Sequence, residues 1–224
     1  MNVAAALWEG GGFERSVTVE VADVWEQDNN GVGWTTSEDD IEFAEEVDRF
    51  RTSAHAGTDL GMYDVTMLMT GLDIGFTERG EFLNDTTGIA NAASLCTKEK
   101  STMLVEDRDS VGFAGETVAH ELGHLFSAHH DGYEEYDTGD CDPQAYIMAA
   151  ATTGEPVEDW SLCSVRAVDK FIEDGNACCL EEGAHHACGD GIEEENDDGS
   201  GTQRVHLLFL QLVAASGASV ALLR

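Results

Sequence analysis

Two hydrophobic periods alternate along the chain. Valines alternate with polar residues across residues 17–25, which predicts a strand with one buried face. Apolar residues then recur at helical spacing within residues 37–53, where Ser37 and neighbouring acidic residues provide a helix start. Further strands are predicted at residues 62–70 and 102–105, and a helix at residues 111–126. Strands that alternate with helices in this way indicate an α/β sheet.

The pattern changes after Asp131. Short polar and glycine-containing stretches follow, with one predicted helix at residues 164–173, which favours a smaller lower subdomain. Residues 184–204 are polar, acidic and glycine-rich and are interpreted as a linker. Residues 205–223 contain no Asp, Glu, Lys or Arg, so this apolar tail is long enough to be a candidate membrane span, although Gln211 and two serines count against that interpretation.

Length and charge limit the function classes. A chain of 224 residues that is 42% hydrophobic can bury one sizeable core, which indicates one catalytic domain with a small appendage. The 45 acidic residues against 11 basic ones give a net charge of −34, which argues against nucleic-acid binding and against docking on anionic membranes. Because the acidic residues recur along the chain, a solvated acidic surface is the favoured interpretation.

The cysteines indicate an oxidising compartment. Six cysteines are present, none in a CxxC pair, so a disulfide set is favoured over a metal cluster. A second zinc site built from His185, His186 and nearby cysteines is weighed against disulfide cysteines beside exposed histidines, and the latter is favoured. The apolar run at residues 3–8 is too short for a secretory signal, so we expect a secreted protein whose signal peptide is not part of this chain.

A metal site is indicated by the spacing of two histidines. His120 and His124 are four residues apart, so on a helix they project from one face and can bind one ion. Glu121, beside the first of them, can take the proton of a water at that ion without ligating it. A third histidine follows at either His129 or His130, and the residue chemistry alone leaves both open. Three imidazoles with an open position are typical of catalytic zinc.

The stretch HELGHLFSAHHD, followed by Tyr146-Ile147-Met148, resembles the signature of the metzincin metallopeptidases. Asp131, directly after the last histidine, makes the match similar to the reprolysin (adamalysin) branch, which includes ADAM-like and arthropod salivary enzymes. The resemblance implies that His130 is the third zinc ligand, that Glu121 is the general base, and that Met148 is the methionine of the turn below the metal. It also implies a supporting role for Asp131.

The resemblance extends over approximately residues 15 to 183. The segment Gly88-Ile89-Ala90 resembles the edge strand along which an extended substrate is bound. The implied fold is a zincin-like α/β domain with a mixed, mostly parallel twisted sheet, an active-site helix and a small lower subdomain. The implied disulfides join Cys141 to Cys163, and Cys96 to either Cys178 or Cys179.

Three features depart from the family pattern. Ser127 stands where the signature has glycine, in a turn conformation that is costly for a residue with a β-carbon. Only sixteen residues precede the strand at Val17, so we expect the amino-terminal strand and helix of the fold to be incomplete, and a calcium site that uses them is unsupported. Cys188 and the residues after it resemble the start of a disintegrin-like domain whose continuation is absent.

These features give a division into a catalytic domain at residues 1–183, an acidic linker at residues 184–204 and an apolar tail at residues 205–224. The tail is interpreted as a membrane anchor, a GPI-attachment signal or misread sequence. The expected function is zinc-dependent cleavage of extracellular proteins or peptides, by a secreted or alternatively a cell-surface-anchored enzyme. The alternative is a catalytically inactive, secreted binding protein of the same fold. The oligomeric state and the cleavage preference are left open.

Overall fold

The computed structural model describes residues 2–28, 36–37, 40–42, 63–71, 73–97, 100–107, 110–151, 154–180 and 203–213. Its helices are α1 (Asn2–Glu9), α2 (Val111–Leu125) and α3 (Leu162–Glu173), with single 3₁₀ turns at Glu134–Tyr136 and Cys178–Leu180. Its strands are β1 (Val17–Asp28), β2 (Thr36–Ser37), β3 (Asp40–Glu42), β4 (Val65–Thr70), β5 (Asp73–Glu78), β6 (Glu81–Thr86), β7 (Gly88–Ala90), β8 (Thr102–Glu106) and β9 (Gln203–Val213). The predicted mixed α/β fold is thereby confirmed.

The main sheet has the strand order β1-β9-β4-β8-β7. The first four strands are parallel, and β7 runs antiparallel to β8 at the edge, with Gly88 opposite Val105. Every residue of β4 and β8 is buried, as expected for parallel strands covered on both faces. The sheet is therefore mostly parallel, as predicted, with its antiparallel strand at one edge.

A smaller sheet lies beside the first, in the order β2-β3-β5-β6. Here the structure corrects the sequence interpretation, because the segment predicted as a helix from residue 37 contains strands instead: Ser37 ends β2, and β3 follows, with its Ile41 paired with Ile74 of β5. The hydrogen bonds of this ladder outweigh the local helical spacing of the apolar residues. The rest of the predicted helix, residues 38–39 and 43–53, lies outside the described residues.

Strand β9 lies between β1 and β4 and is parallel to both. Its residues were divided in the sequence interpretation between the acidic linker and the apolar tail. Val65 of β4 pairs with Leu207, and Val17 of β1 pairs with Gln203. An uninterrupted apolar run is typical of a central parallel strand as well as of a membrane segment, so hydrophobicity alone does not distinguish the two. None of the helices that the structure describes is long and apolar enough to cross a membrane.

The core joins the short amino-terminal helix to the active-site helix. Gly115 of α2 lies so close to α1 that an added β-carbon would be 2.5 Å from Val3 Cβ. Trp8 packs against Trp160 with ring centroids 4.7 Å apart, and the Trp160 indole donates a hydrogen bond to the Leu7 carbonyl. Helix α1, which the sequence analysis did not predict, therefore closes the core between α2 and the start of α3.

Candidate metal centre and active-site cleft

Helix α2 carries the central part of the site. Its amino terminus is capped by the Ser110 hydroxyl, which accepts a hydrogen bond from the Phe113 N–H. The buried face includes Val118, Leu122 and Leu125, which pack into the hydrophobic core. Because these residues fix the rotation of the helix about its axis, the side chains of the HExxH stretch are presented on a rigid element.

The chain leaves α2 through a Schellman motif, which is a helix end closed by two hydrogen bonds. The Ala128 N–H donates to the Gly123 carbonyl, and the Ser127 N–H donates to the His124 carbonyl, each at 2.9 Å. Ser127 adopts φ +72°, the left-handed conformation that favours glycine. The turn on which the sequence analysis focused therefore forms with serine, at a conformational cost, and directs the chain back towards the helix.

Three imidazoles converge after this turn. His130 Nε2 lies 3.2 Å from His120 Nε2 and 3.2 Å from His124 Nε2. Tetrahedral zinc with bonds of about 2.0–2.1 Å to nitrogen requires its nitrogen ligands to be roughly 3.3 Å apart, so the donor set fits this ion. Three lone pairs directed at one point repel one another unless a cation lies between them.

Backbone carbonyls fix the ring orientation of two of these histidines. His120 Nδ1 lies 2.6 Å from the Ile147 carbonyl oxygen, and His124 Nδ1 lies 2.8 Å from the Ala128 carbonyl oxygen. A carbonyl only accepts, so Nδ1 carries the proton in both rings and Nε2 keeps its lone pair for a metal. Burial lowers the pKa of His120 to about 3 and that of His124 to about 4, and it also lowers the pKa of His130. All three rings are therefore neutral at physiological pH.

His129 is separated from this cluster. Its ring stacks on Tyr136, with centroids 4.2 Å apart and planes 5° from parallel. The group of His, Cys, Asp and Glu side chains that converges here consists, among the described residues, of His120, His124 and His130. Of the two candidates that the residue chemistry left open, the structure brings His130 to the other two imidazoles.

Glu121 is buried beside the imidazoles, with 3% of its surface exposed. Its Oε2 atom accepts no hydrogen bond from any described residue, and burial raises the pKa of the carboxyl to about 8. Strand β7 packs against it, because a β-carbon on Gly88 would lie 2.6 Å from Glu121 Oε1. The carboxyl is thus enclosed between the helix and the edge strand.

A cleft of about 620 Å³ opens over these groups. One wall is β7, with Gly88, Ile89 and Ala90, together with the end of β6. The cleft is also lined by the face of α2 that carries the imidazoles, by Ile147 and by a run of three alanines at residues 149–151. The three histidines and Glu121 all line the same cleft.

Residues 12–131 match the model of the family described as metallo-peptidase family M12B, reprolysin-like. The chain belongs to this family. The match covers just over half of the chain and ends at Asp131, directly after the third histidine of the reprolysin-like site.

The chain is also similar in sequence to individual metalloproteinases. The chain is 36% identical over 126 residues to "A disintegrin and metalloproteinase with thrombospondin motifs 4" of Bos taurus, an overlap of 54% of this chain and 14% of the relative. It is 33% identical over 127 residues to "A disintegrin and metalloproteinase with thrombospondin motifs 12" of Mus musculus, an overlap of 54% of this chain and 7% of the relative. It is 32% identical over 123 residues to "A disintegrin and metalloproteinase with thrombospondin motifs 1" of Rattus norvegicus, an overlap of 53% of this chain and 12% of the relative. The chain thus spans about a seventh or less of the length of these relatives.

Met148 lies beneath the imidazoles of this reprolysin-like site. It is fully buried, and a β-carbon on Gly123 of α2 would lie 2.7 Å from its sulfur. Its carbonyl accepts a hydrogen bond from the Asp131 N–H at 2.9 Å, which ties the turn to the residue after His130. Met148 therefore packs against the active-site helix and is tied to the residue that follows His130.

Asp131 connects the same turn to α3. Its Oδ1 accepts a hydrogen bond from the Ser161 hydroxyl at 2.7 Å, and Ser161 also caps α3 through the Ser164 N–H. Burial raises the pKa of the Asp131 carboxyl. The sequence analysis did not single out Ser161, although a serine immediately before a helical run is a recognisable capping signal.

The structure contains the disulfides Cys96–Cys179 and Cys141–Cys163, so the prediction of a disulfide set is confirmed. Of the two partners left open for Cys96, Cys179 forms the bond, and Cys178 is also disulfide-bonded. The first bridge fastens the segment after β7 to the 3₁₀ turn at Cys178–Leu180. Cys188, His185 and His186 lie outside the described residues.

Proposed function

We propose that this chain is a zinc-dependent endopeptidase that uses Glu121 as its general base. The observation that carries the proposal is the convergence of three imidazoles, with the Nε2 atoms of His120 and His124 each 3.2 Å from that of His130, beside a buried carboxyl group. His120, His124 and His130 would hold the ion, and Met148 would support the ligands from below. When bound, zinc supplies a Lewis acid with an open coordination position.

Glu121 performs the proton transfers in this proposal. In the metal-free protein, burial raises the pKa of this carboxyl group to about 8, and a carboxyl group positioned beside the reacting water can both accept and release a proton. The carboxylate takes a proton from the attacking water and then gives it to the nitrogen of the leaving amine. Its enclosure by β7 keeps bulk water from competing for that proton.

Strand β7 would bind the substrate. It is the last strand of the main sheet, so one edge of Gly88–Ala90 is not paired with any other strand that the structure describes. An extended peptide can add to such an edge through main-chain hydrogen bonds. That position places its backbone along the wall of the cleft, in front of Glu121, with a neighbouring side chain directed into the pocket beside α2.

The proposed substrates are extracellular proteins or peptides. Disulfides form and persist in oxidising compartments, and at least two are present here. The strongly acidic chain is unsuited to nucleic acid. Secretion is accordingly the proposed localisation, with anchoring at the cell surface as the alternative.

Cleavage of an unfolded protein such as reduced casein tests the proposal. We expect internal cleavage that stops when a chelator removes the metal and resumes when stoichiometric zinc is restored. Cleavage that is insensitive to the chelator would contradict it. A folded, zinc-loaded protein that cleaves nothing would favour the inactive binding protein.

A further inference from the structure

Glu116 is a second buried carboxyl group in the cleft, outside the HExxH stretch. It lies on α2 four residues before His120, which is about one helical turn or 6 Å along the axis. Only 6% of its surface is exposed, and it lines the same cleft as the imidazoles. A carboxyl group at such a position is rare unless it is paired, so its partners are informative.

One oxygen of Glu116 has a partner and the other does not. Oε2 accepts a hydrogen bond from the Val157 N–H at 3.1 Å. No described residue donates to Oε1, and this atom is not among the fully enclosed unpaired oxygens, in contrast to Glu121 Oε2. Oε1 is therefore not fully enclosed, and it retains the capacity to accept a hydrogen bond from a group in the cleft that Glu116 lines.

The charge of the cleft favours a cation at this oxygen. Glu116 lines it and Asp85 lies at its exposed rim, whereas no Lys or Arg is found among its described lining residues. The net charge of −34 adds a field of the same sign.

The shape of the cleft suits a long side chain with a charged end. The cleft, of about 620 Å³, is lined in part by Ala149, Ala150 and Ala151, whose small side chains take up little of its volume. The loop that follows is held against the helix by the Val157 hydrogen bond and by Pro156, which lies 3.0 Å from a β-carbon built on Gly112. The methylene stem of a lysine or arginine can lie along the alanines while its cationic end reaches Glu116.

We propose that Glu116 is a specificity residue that selects substrates carrying Lys or Arg next to the scissile bond. This inference rests on the proposed endopeptidase function. A role confined to anchoring the loop through Val157 would affect all substrates equally, whereas pairing with a cation changes the ratio of rates between cationic and neutral side chains.

The test uses the zinc-loaded full chain and matched peptides that contain Lys, norleucine or Glu at a single position flanking the cleaved bond. Norleucine retains the methylene stem of lysine and lacks its charge. We expect kcat/KM to favour Lys over norleucine by at least about tenfold and to be lowest for Glu, as for a partly buried charge pair. E116Q should reduce the Lys preference to within about twofold, because its amide oxygen still accepts from Val157 but carries no charge.

E158Q is the matched control. Glu158 is exposed, lies next to Val157 and does not line the cleft, so removing its charge should leave the Lys preference intact. Equal rates for the Lys and norleucine peptides in the wild type would overturn the proposal. An unchanged preference in E116Q would also overturn it.

A binding measurement separates this inference from the proposed function. If the zinc-loaded protein cleaves neither casein nor any peptide, the endopeptidase proposal fails, and calorimetry on the uncleaved Lys and norleucine peptides then decides the role of Glu116. Tighter binding of the Lys peptide by the wild type, lost in E116Q, would support the selection of a cation. Equal binding of the two peptides would contradict it.

Discussion

Gly88 of the edge strand and Glu121 of the active-site helix are in direct contact, with no space for a side chain between them. A β-carbon on Gly88 would lie 2.6 Å from Glu121 Oε1 and 2.8 Å from Thr117 Cγ2. The helix is held by its buried face, so an added methyl group must displace either the strand or the carboxyl group. The absence of a side chain at Gly88 thus sets the distance between the proposed substrate-binding edge and the proposed base.

We therefore predict that G88A reduces kcat/KM by about 100-fold while zinc binding is retained, because displacement of a catalytic group by about 1 Å has an effect of this size. Peptide hydrolysis and zinc content measured on the same preparation test this. G71A is the control, since nothing lies within 4 Å of a β-carbon at Gly71. Equal activity of G88A and the wild type would show that the strand adapts without moving Glu121.

Ser127 provides a prediction about stability. Its φ of +72° is unfavourable for a residue with a β-carbon, so S127G should stabilise the fold by about 1 kcal/mol after the greater flexibility of glycine in the unfolded chain is subtracted. Thermal melting should show a rise of about 2–4 °C. S127A keeps the β-carbon and should show no such gain, and an equal gain in both variants would rule out relief of backbone strain.

The metal-free protein should have a characteristic pH dependence. Since burial depresses the folded-state pKa of His120 to about 3 and of His124 to about 4, their contribution to stability is present above pH 6.5 and is lost as the pH falls towards these values. The contribution of Glu121 to stability changes with pH in the opposite direction. Its raised pKa gives a contribution that is present below pH 4.5 and lost as the pH rises through about 8.

E121Q isolates the second effect. In chelator, the melting temperature of E121Q should exceed that of the wild type by an amount that grows between pH 4.5 and pH 8. Melting curves of both proteins across this range measure the difference. A difference that is constant with pH would show that the Glu121 carboxyl titrates in the folded protein as it does in the unfolded chain.

Strand β9 provides a test of the domain boundary. A chain that stops at residue 202 lacks the strand between β1 and β4 and exposes the ladder edges of both, so we expect it to aggregate or to melt without a cooperative transition. A chain that stops at Val213 retains every strand that the structure describes and should fold. Cooperative folding of the shorter chain would show that residues 203–213 are dispensable, as expected of a separate tail.

The parts of the site that follow from local spacing could be predicted from the sequence. His120, Glu121 and His124 share one face of a helix because of their separation alone. Glu116 could have been found in the same way, since it lies one turn before His120. The contact of Gly88 with Glu121 could not, because it depends on how closely a strand and a helix pack in three dimensions.

The conformation of Ser127 and the position of β9 also exceed what sequence patterns determine. Whether a turn tolerates a β-carbon in the left-handed conformation depends on the strength of the surrounding structure that imposes it. The run from Gln203 to Val213 lacks the alternation that marks a half-buried strand because it lies between two neighbours in a covered sheet. The position of β9 in the sheet follows only from its pairing with β1 and β4.

The most direct test of the central claim compares the initial rate of peptide hydrolysis by the wild type and by E121Q at equal, measured zinc content. Glutamine preserves the size of the side chain and cannot accept the proton, so the account predicts a rate at least about 100-fold lower for E121Q, with zinc still bound. Equal rates for the two zinc-loaded proteins would contradict the assignment of Glu121 as the general base.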